Sequence, residues 1–126
     1  MGQARVLLAV ALGGAVGALG RYAATLVFPT ATGSLAWTVL LVNVTGCALL
    51  GVLTGLIATD RLRHPLARPF LGIGVLGGFT TFSTFALDTR SQADAGDLPG
   101  ALAYVGLTVV ACLAAALVGV RSVGQR

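Results

Sequence analysis

The chain has 126 residues, of which 56% are hydrophobic and only 10% charged, with a formal net charge of +4. An ordinary soluble domain is about 25% charged, so these side chains cannot cover a soluble fold of this size. Soluble enzymes, disordered tails and nucleic-acid-binding tail proteins are excluded, and a mean hydropathy of +0.94 leaves membrane residence, where lipid accepts apolar residues on every outward side.

A bilayer span needs about 20 apolar residues, and four stretches reach that length. The first runs from about Val6 to Phe28 and is interrupted in charge only by Arg21. Arg5 followed by an apolar run resembles a signal peptide, but the run outlasts a usual signal core and three more spans follow, so this helix is expected to be retained. The opening Met1-Gly-Gln-Ala-Arg-Val6 lacks the Ser or Thr that myristoylation needs at its last position. Gly13 and Gly17 form a small-xxx-small pair that would let helix backbones approach closely.

The second span, Leu35 to Thr59, is uncharged and carries Asn43, Cys47 and a second small pair, Gly51 and Gly55. A buried Asn is either a donor in a polar path or glue between helices. Asp60 to Pro69 then connects to the third span, and its single His64, between Arg63 and Pro65, reads as solvated.

The third span, Phe70 to Leu87, opens with Gly72-Ile-Gly74-Val-Leu-Gly77. This is a formal GxGxxG, but the dinucleotide fingerprint needs a strand, turn and helix, and here it lies in an apolar membrane segment. A phosphate-binding P-loop is excluded because the chain has no lysine. Gly77-Gly-Phe-Thr80-Thr-Phe-Ser-Thr-Phe85 makes a poor lipid-facing helix, since glycine costs about 1 kcal/mol against alanine and Thr is also unfavourable. The stretch predicts a helix broken at Gly77, near the middle of the span. A broken membrane helix frees backbone groups that protein, water or an ion must satisfy. The rival reading is a hydroxyl-rich packing kink. Phe82 and Phe85, three apart, share a face, and the positive edge of an aromatic ring can approach an anion. An aromatic pair packed in the core is the plainer alternative.

Asp88 to Asp97 predicts an outer loop, and the fourth span runs from Leu98 to Val120. Within it Tyr104, Thr108 and Cys112 fall on one helical stripe of weak donors. With Asn43, Thr81, Ser83 and Thr84 they outline a polar path without embedded carboxylates. The two cysteines read as packing residues, too few for a metal site.

The whole is expected to be an all-α membrane protein, one domain of four transmembrane helices over residues 1–126, with the third helix broken. Four spans put both ends of the chain on one side. Arg5, Arg61, Arg63, Arg68, Arg121 and Arg126 share that side, against Arg21 and Arg90 on the other, which favours cytoplasmic termini. No basic stretch interleaves with exposed aromatics, so no nucleic-acid partner is expected. No Ser/His/Asp set or carboxylate pair stands where catalysis could be built, so the chain is not expected to be an enzyme.

These residues resemble a known family. GVLGGFTTFSTFALD is similar to the signature of the CrcB/Fluc fluoride channels, as are Val42-Asn43-Val44-Thr45-Gly46 and Gly17-x-x-x-Arg21. The resemblance covers the whole chain and implies a passive, fluoride-selective exporter in the bacterial plasma membrane, built as a dimer of oppositely inserted subunits with two pores at their interface. It implies that Phe82 and Phe85 offer ring edges to fluoride and that Asn43 offers an amide hydrogen. Tyr104 and Thr108 would line the pore, assisted by Ser83 and Thr84, and Arg21 would stand near a pore mouth. The carbonyls of Gly77 and Thr80 would hold a structural sodium ion, a cofactor that is not transported.

The chain departs from that family pattern at Thr38-Val39, where Gly-Thr is usual, at Asp88 for a common glutamate, and at Cys112 for a common serine. Its six-to-two arginine bias departs as well. A dual-topology homodimer needs almost no bias, so the alternative is a fixed orientation and a heterodimer with an inverted paralogue. A partner subunit that does not itself conduct is a second alternative. A small proton-coupled drug exporter is a third, and it would need a carboxylate within a span.

Overall fold

The structure, a computed structural model, describes residues 2–29 and 36–124. Met1, residues 30–34 of the first expected connection, Leu35 and Arg126 lie outside the described residues. Helix α1 spans Gln3–Val27, α2 spans Trp37–Ala58, α4 spans Phe82–Asp94 and α5 spans Leu98–Gly124. Between α2 and α4 lies α3, made of a wide-turn π-helical segment, Arg68–Leu76, and one closing α-helical turn, Gly77–Phe79. Pro69 stands in its first turn, where a missing N–H costs least. No described residue is in a strand.

Four helical segments are long and apolar enough to cross a membrane: Gln3–Val27, Trp37–Ala58, Arg68–Asp94 and Leu98–Gly124. Large apolar side chains such as Leu7, Leu19, Val110 and Leu113 lie exposed along them. That is the surface of a multi-pass membrane protein, because in lipid an outward Leu carries no hydration penalty.

The glycines decide how the helices pair. On α1 the buried residues Ala9, Gly13 and Gly17 are four apart and form one face. A Cβ on Gly13 would lie 3.0 Å from Gly74 Cα, and one on Gly74 would lie 2.9 Å from Gly13 Cα, so the backbones of α1 and α3 touch directly. One step further along, a Cβ on Gly78 would lie 3.0 Å from Gly14 Cα, although one on Gly14 would meet nothing within 4 Å. On α2, Gly51 lies against Ala116 and Gly55 against Val120 and Val123 of α5. Residue numbers rise together in both pairs, so α1 runs parallel to α3 and α2 runs parallel to α5.

Two expectations need correction. The helical backbone does not break at Gly77, whose φ of −66° and ψ of −36° are helical. It is interrupted at Thr80 and Thr81, which have extended ψ values of 154° and 124°. Gly77 and Gly78 therefore do not supply unusual dihedrals; Gly78 instead permits backbone contact with Gly14. The second correction concerns the outer loop. The segment from Asp88 onward stays helical as far as Asp94, seven residues beyond the expected end of the span. It contains no Gly or Pro before Gly96, and an exposed Arg90–Asp94 pair at 3.3 Å bridges adjacent turns. Gly96, at a φ of +88°, turns the chain. Asp97 Oδ1 then accepts from Gly100 N at 2.9 Å and opens α5 as its N-terminal cap.

Candidate functional site

The interruption between α3 and α4 frees backbone groups, and Asn43 takes two of them. Thr81 N–H donates to Asn43 Oδ1 at 2.8 Å, and Asn43 Nδ2 donates to Thr81 O at 3.0 Å. Asn43 is 9% exposed and Thr81 6% exposed, so this two-bond clamp is buried. In a continuing helix the Thr81 amide would bond the carbonyl of Gly77, so the clamp also releases that carbonyl. The Thr81 side chain starts the next helix. Its Oγ1 accepts from Thr84 N at 3.2 Å and donates to Thr84 Oγ1 at 3.1 Å, with Ser83 Oγ at 3.3 Å. Buried backbone at membrane depth is thus satisfied by side chains from α2 and from Thr81 itself.

The aromatic residues stack from surface to core. The rings of Phe82 and Phe85 have centroids 5.8 Å apart, and those of Phe85 and Tyr104 are 5.4 Å apart. Phe82 is 80% exposed, whereas Tyr104 is fully buried in a cluster with Ala36, Val39 and Leu40. The Tyr104 hydroxyl and Thr108 Oγ1, one turn apart on α5, are buried without a hydrogen-bond partner among the described residues. Burying a hydroxyl without a partner costs about 1–3 kcal/mol.

A groove of about 360 Å³ collects most of these groups. Asn43, Phe82, Phe85 and Thr108 line it, together with Gly77 and Thr80. The register of α2 on α5 explains the pairing. Carried back two turns from the Gly51–Ala116 contact, it sets Asn43 opposite Thr108, and one turn further Val39 opposite Tyr104. Val39 thus packs the core beside Tyr104.

Not every candidate residue reaches the groove. Tyr104 is not among the groove's lining residues but packs in the core behind Phe85, Ser83 is exposed and Thr84 half-buried. Thr84 instead borders a small cavity of about 20 Å³ with Arg21, Thr25, Thr38 and Thr81. Arg21 Nη1 donates to Thr80 O at 3.3 Å, on the α1 side of the interruption. Thr38 donates to the carbonyl of Phe28, tying the start of α2 to the end of α1. Asp88, expected in a loop, has Oδ2 buried without a hydrogen-bond partner, as does Gln92 Oε1 one turn on.

The sequence reading missed Thr81 as the point where α2 and α4 are joined. The available signal was a hydroxyl three residues ahead of Thr84, directly after a helix-poor stretch, which is the spacing of an N-terminal cap. His64 is exposed and accepts from Leu66 N at 3.2 Å through Nδ1, a loop-shaping bond. Among the described residues there is no group of three or more His, Cys, Asp or Glu arranged for a metal.

Residues 8–120 match the family model described as CrcB-like protein, Camphor Resistance (CrcB). The chain is 53% identical over 113 residues to a Streptomyces coelicolor protein named fluoride-specific ion channel FluC 1, covering 90% of this chain and 73% of the relative. It is 46% identical over 114 residues to fluoride-specific ion channel FluC 2 of Nocardia farcinica, covering 90% and 81%. Over 118 residues it is 41% identical to fluoride-specific ion channel FluC of Nitrobacter winogradskyi, covering 93% and 94%.

Proposed function

The chain belongs to the CrcB family, and on that premise we propose that it is a fluoride-selective channel, not an enzyme, that lets cytoplasmic fluoride leave the cell passively. The observation that carries the reading is the pair of buried, unpartnered hydroxyls of Tyr104 and Thr108 beside Phe85 and Asn43. Fluoride is a pure acceptor. Both hydroxyls are donors, and Asn43 keeps a second amide hydrogen after giving one to Thr81. Phe82 and Phe85 add ring edges.

All these groups are neutral, which suits conduction. Stripping water from a small anion costs several tens of kcal/mol on Born estimates unless something replaces it. Spaced weak donors replace the water in stages without trapping the ion. Arg21, held by Thr80 O on the other side of the interruption, supplies positive potential near the path rather than within it.

One chain provides a groove rather than a closed tube, and Phe82 points outward from it. A second subunit inserted in the opposite sense completes the path in this reading, either a second copy or an inverted paralogue. The arginines at one end, Arg5, Arg61, Arg63, Arg68 and Arg121, support cytoplasmic termini in a bacterial plasma membrane.

A structural sodium ion fits the donor set in kind. The Gly77 carbonyl has lost its helical partner, and the Thr80 carbonyl keeps a second lone pair beyond the Arg21 bond. Both are hard oxygen ligands, on residues that border the groove. When bound there, the ion supplies a fixed positive charge close to the anion path.

The test is fluoride efflux from liposomes holding this chain alone, compared with Phe82→Ile. Fluoride-selective efflux slowed by the substitution is expected. Efflux indifferent to Phe82→Ile, or passing chloride equally well, refutes the assignment of the path.

A further inference from the structure

Cys47 and Cys112 have no role in that reading, yet the helix packing brings them together. Gly51 lies against Ala116, and Cys47 and Cys112 each precede these residues by one helical turn on parallel helices. The two thiols are therefore set at the same level on the facing sides of α2 and α5, where both border one groove. Both are free and half-buried, and both line the groove that also holds Asn43 and Thr108. The close approach of α2 and α5 is fixed by backbone, because a side chain at Gly51 or Gly119 would collide with the opposite helix. That the two cysteine positions oppose one another is therefore set by the helix backbones.

We propose that Cys47 and Cys112 form a two-thiolate site for a single soft, thiophilic d10 cation of the Hg2+ class, bridging α2 and α5 within the groove. Thiolate sulfur selects soft metals, and such ions accept two opposed sulfurs without further ligands. The binding step is balanced without redox chemistry. Each thiol releases its proton to water in the groove, two metal–sulfur bonds form, and the +2 charge of the ion is cancelled by two thiolates. A neutral product suits a low-dielectric site, where a net charge would be costly. The groove residues on either side, Gly46, Leu50, Leu76 and Val109, are small or apolar and offer the ion no competing hard ligand. Because the site lies one turn from the Asn43–Thr108 pair, an ion held there obstructs the groove. That consequence rests on the channel reading; the binding itself does not.

The experiment uses the purified full chain in detergent with Hg2+ alone as the probe, and counts reactive thiols. One equivalent per chain is expected to remove both thiols together. Cys47→Ser and Cys112→Ser, checked for helix content by circular dichroism, are expected to release the ion at about 10²–10⁴-fold lower concentrations of a competing monothiol, the usual gain from holding one ligand by two points. A requirement for two equivalents in the unmodified chain, or equal retention by either single variant, overturns the site. In liposomes, Hg2+ is expected to block fluoride efflux by the unmodified chain but not by the doubly substituted one. Absence of efflux altogether counts against the channel reading, while one-ion stoichiometry still supports the site.

Discussion

Replacing Asn43 by alanine isolates what holds the interrupted helix together. The substitution removes two buried hydrogen bonds, at 2.8 and 3.0 Å, and leaves both the N–H and the C=O of Thr81 without their partner. Each buried group so abandoned costs about 1–3 kcal/mol, which gives roughly 2–6 kcal/mol for the pair. The groove borders the site, so water can reach part of the exposed backbone and the lower half of that range applies. A loss near 3 kcal/mol corresponds to roughly a hundredfold shift in the unfolding equilibrium. Equilibrium unfolding in mixed micelles, followed by circular dichroism, measures it. Thr54→Ala is the matched control, because the Thr54 hydroxyl is exposed and bonds only Leu50 O of its own helix at 2.7 Å. If Asn43→Ala falls within about 0.5 kcal/mol of that control, the range of ordinary surface changes, the clamp does not hold α2 to the interruption and the reasoning fails.

Gly17→Ala would place a Cβ 2.8 Å from Phe79 N and 2.9 Å from the Val75 carbonyl carbon. Neither backbone atom can swing away, so about 1–3 kcal/mol of destabilisation is expected by the same unfolding measurement. Gly106→Ala, with nothing within 4 Å, is expected to show none. Asp97→Ala removes the cap of α5 and is expected to cost about 0.5–2 kcal/mol, read as faster amide exchange at Gly100 and Ala101 with the helix core unchanged.

The number and approximate limits of the spans follow from apolar length alone, because a bilayer sets a minimum that side-chain detail does not alter. The third segment was the exception at its outer end. Hydropathy stops at Leu87, but helical hydrogen bonding continues until Gly96 makes a turn possible. A hydropathy limit and a helix limit are different physical quantities. The small-residue pairs at Gly13, Gly17, Gly51 and Gly55 were legible as packing surfaces, though not which helix each would meet.

The candidate site was legible by residue type and less so by arrangement. Asn43, Phe82, Phe85 and Thr108 share a groove, whereas Tyr104 packs in the core behind Phe85 and Ser83, Thr84 and Arg21 lie outside the groove lining. Sequence placed the irregularity at the two glycines, where propensity is poorest. Tertiary structure moved it to Thr80 and Thr81, because Asn43 offers a donor and an acceptor at that depth, while the glycines serve close backbone packing against α1. Membrane residence, four helices and a neutral set of donors were thus settled by composition and spacing, which depend only on local chemistry. Which residues face one another was settled by the close contact of glycine faces. Only that contact establishes the register that sets Asn43 against Thr108 and Cys47 against Cys112.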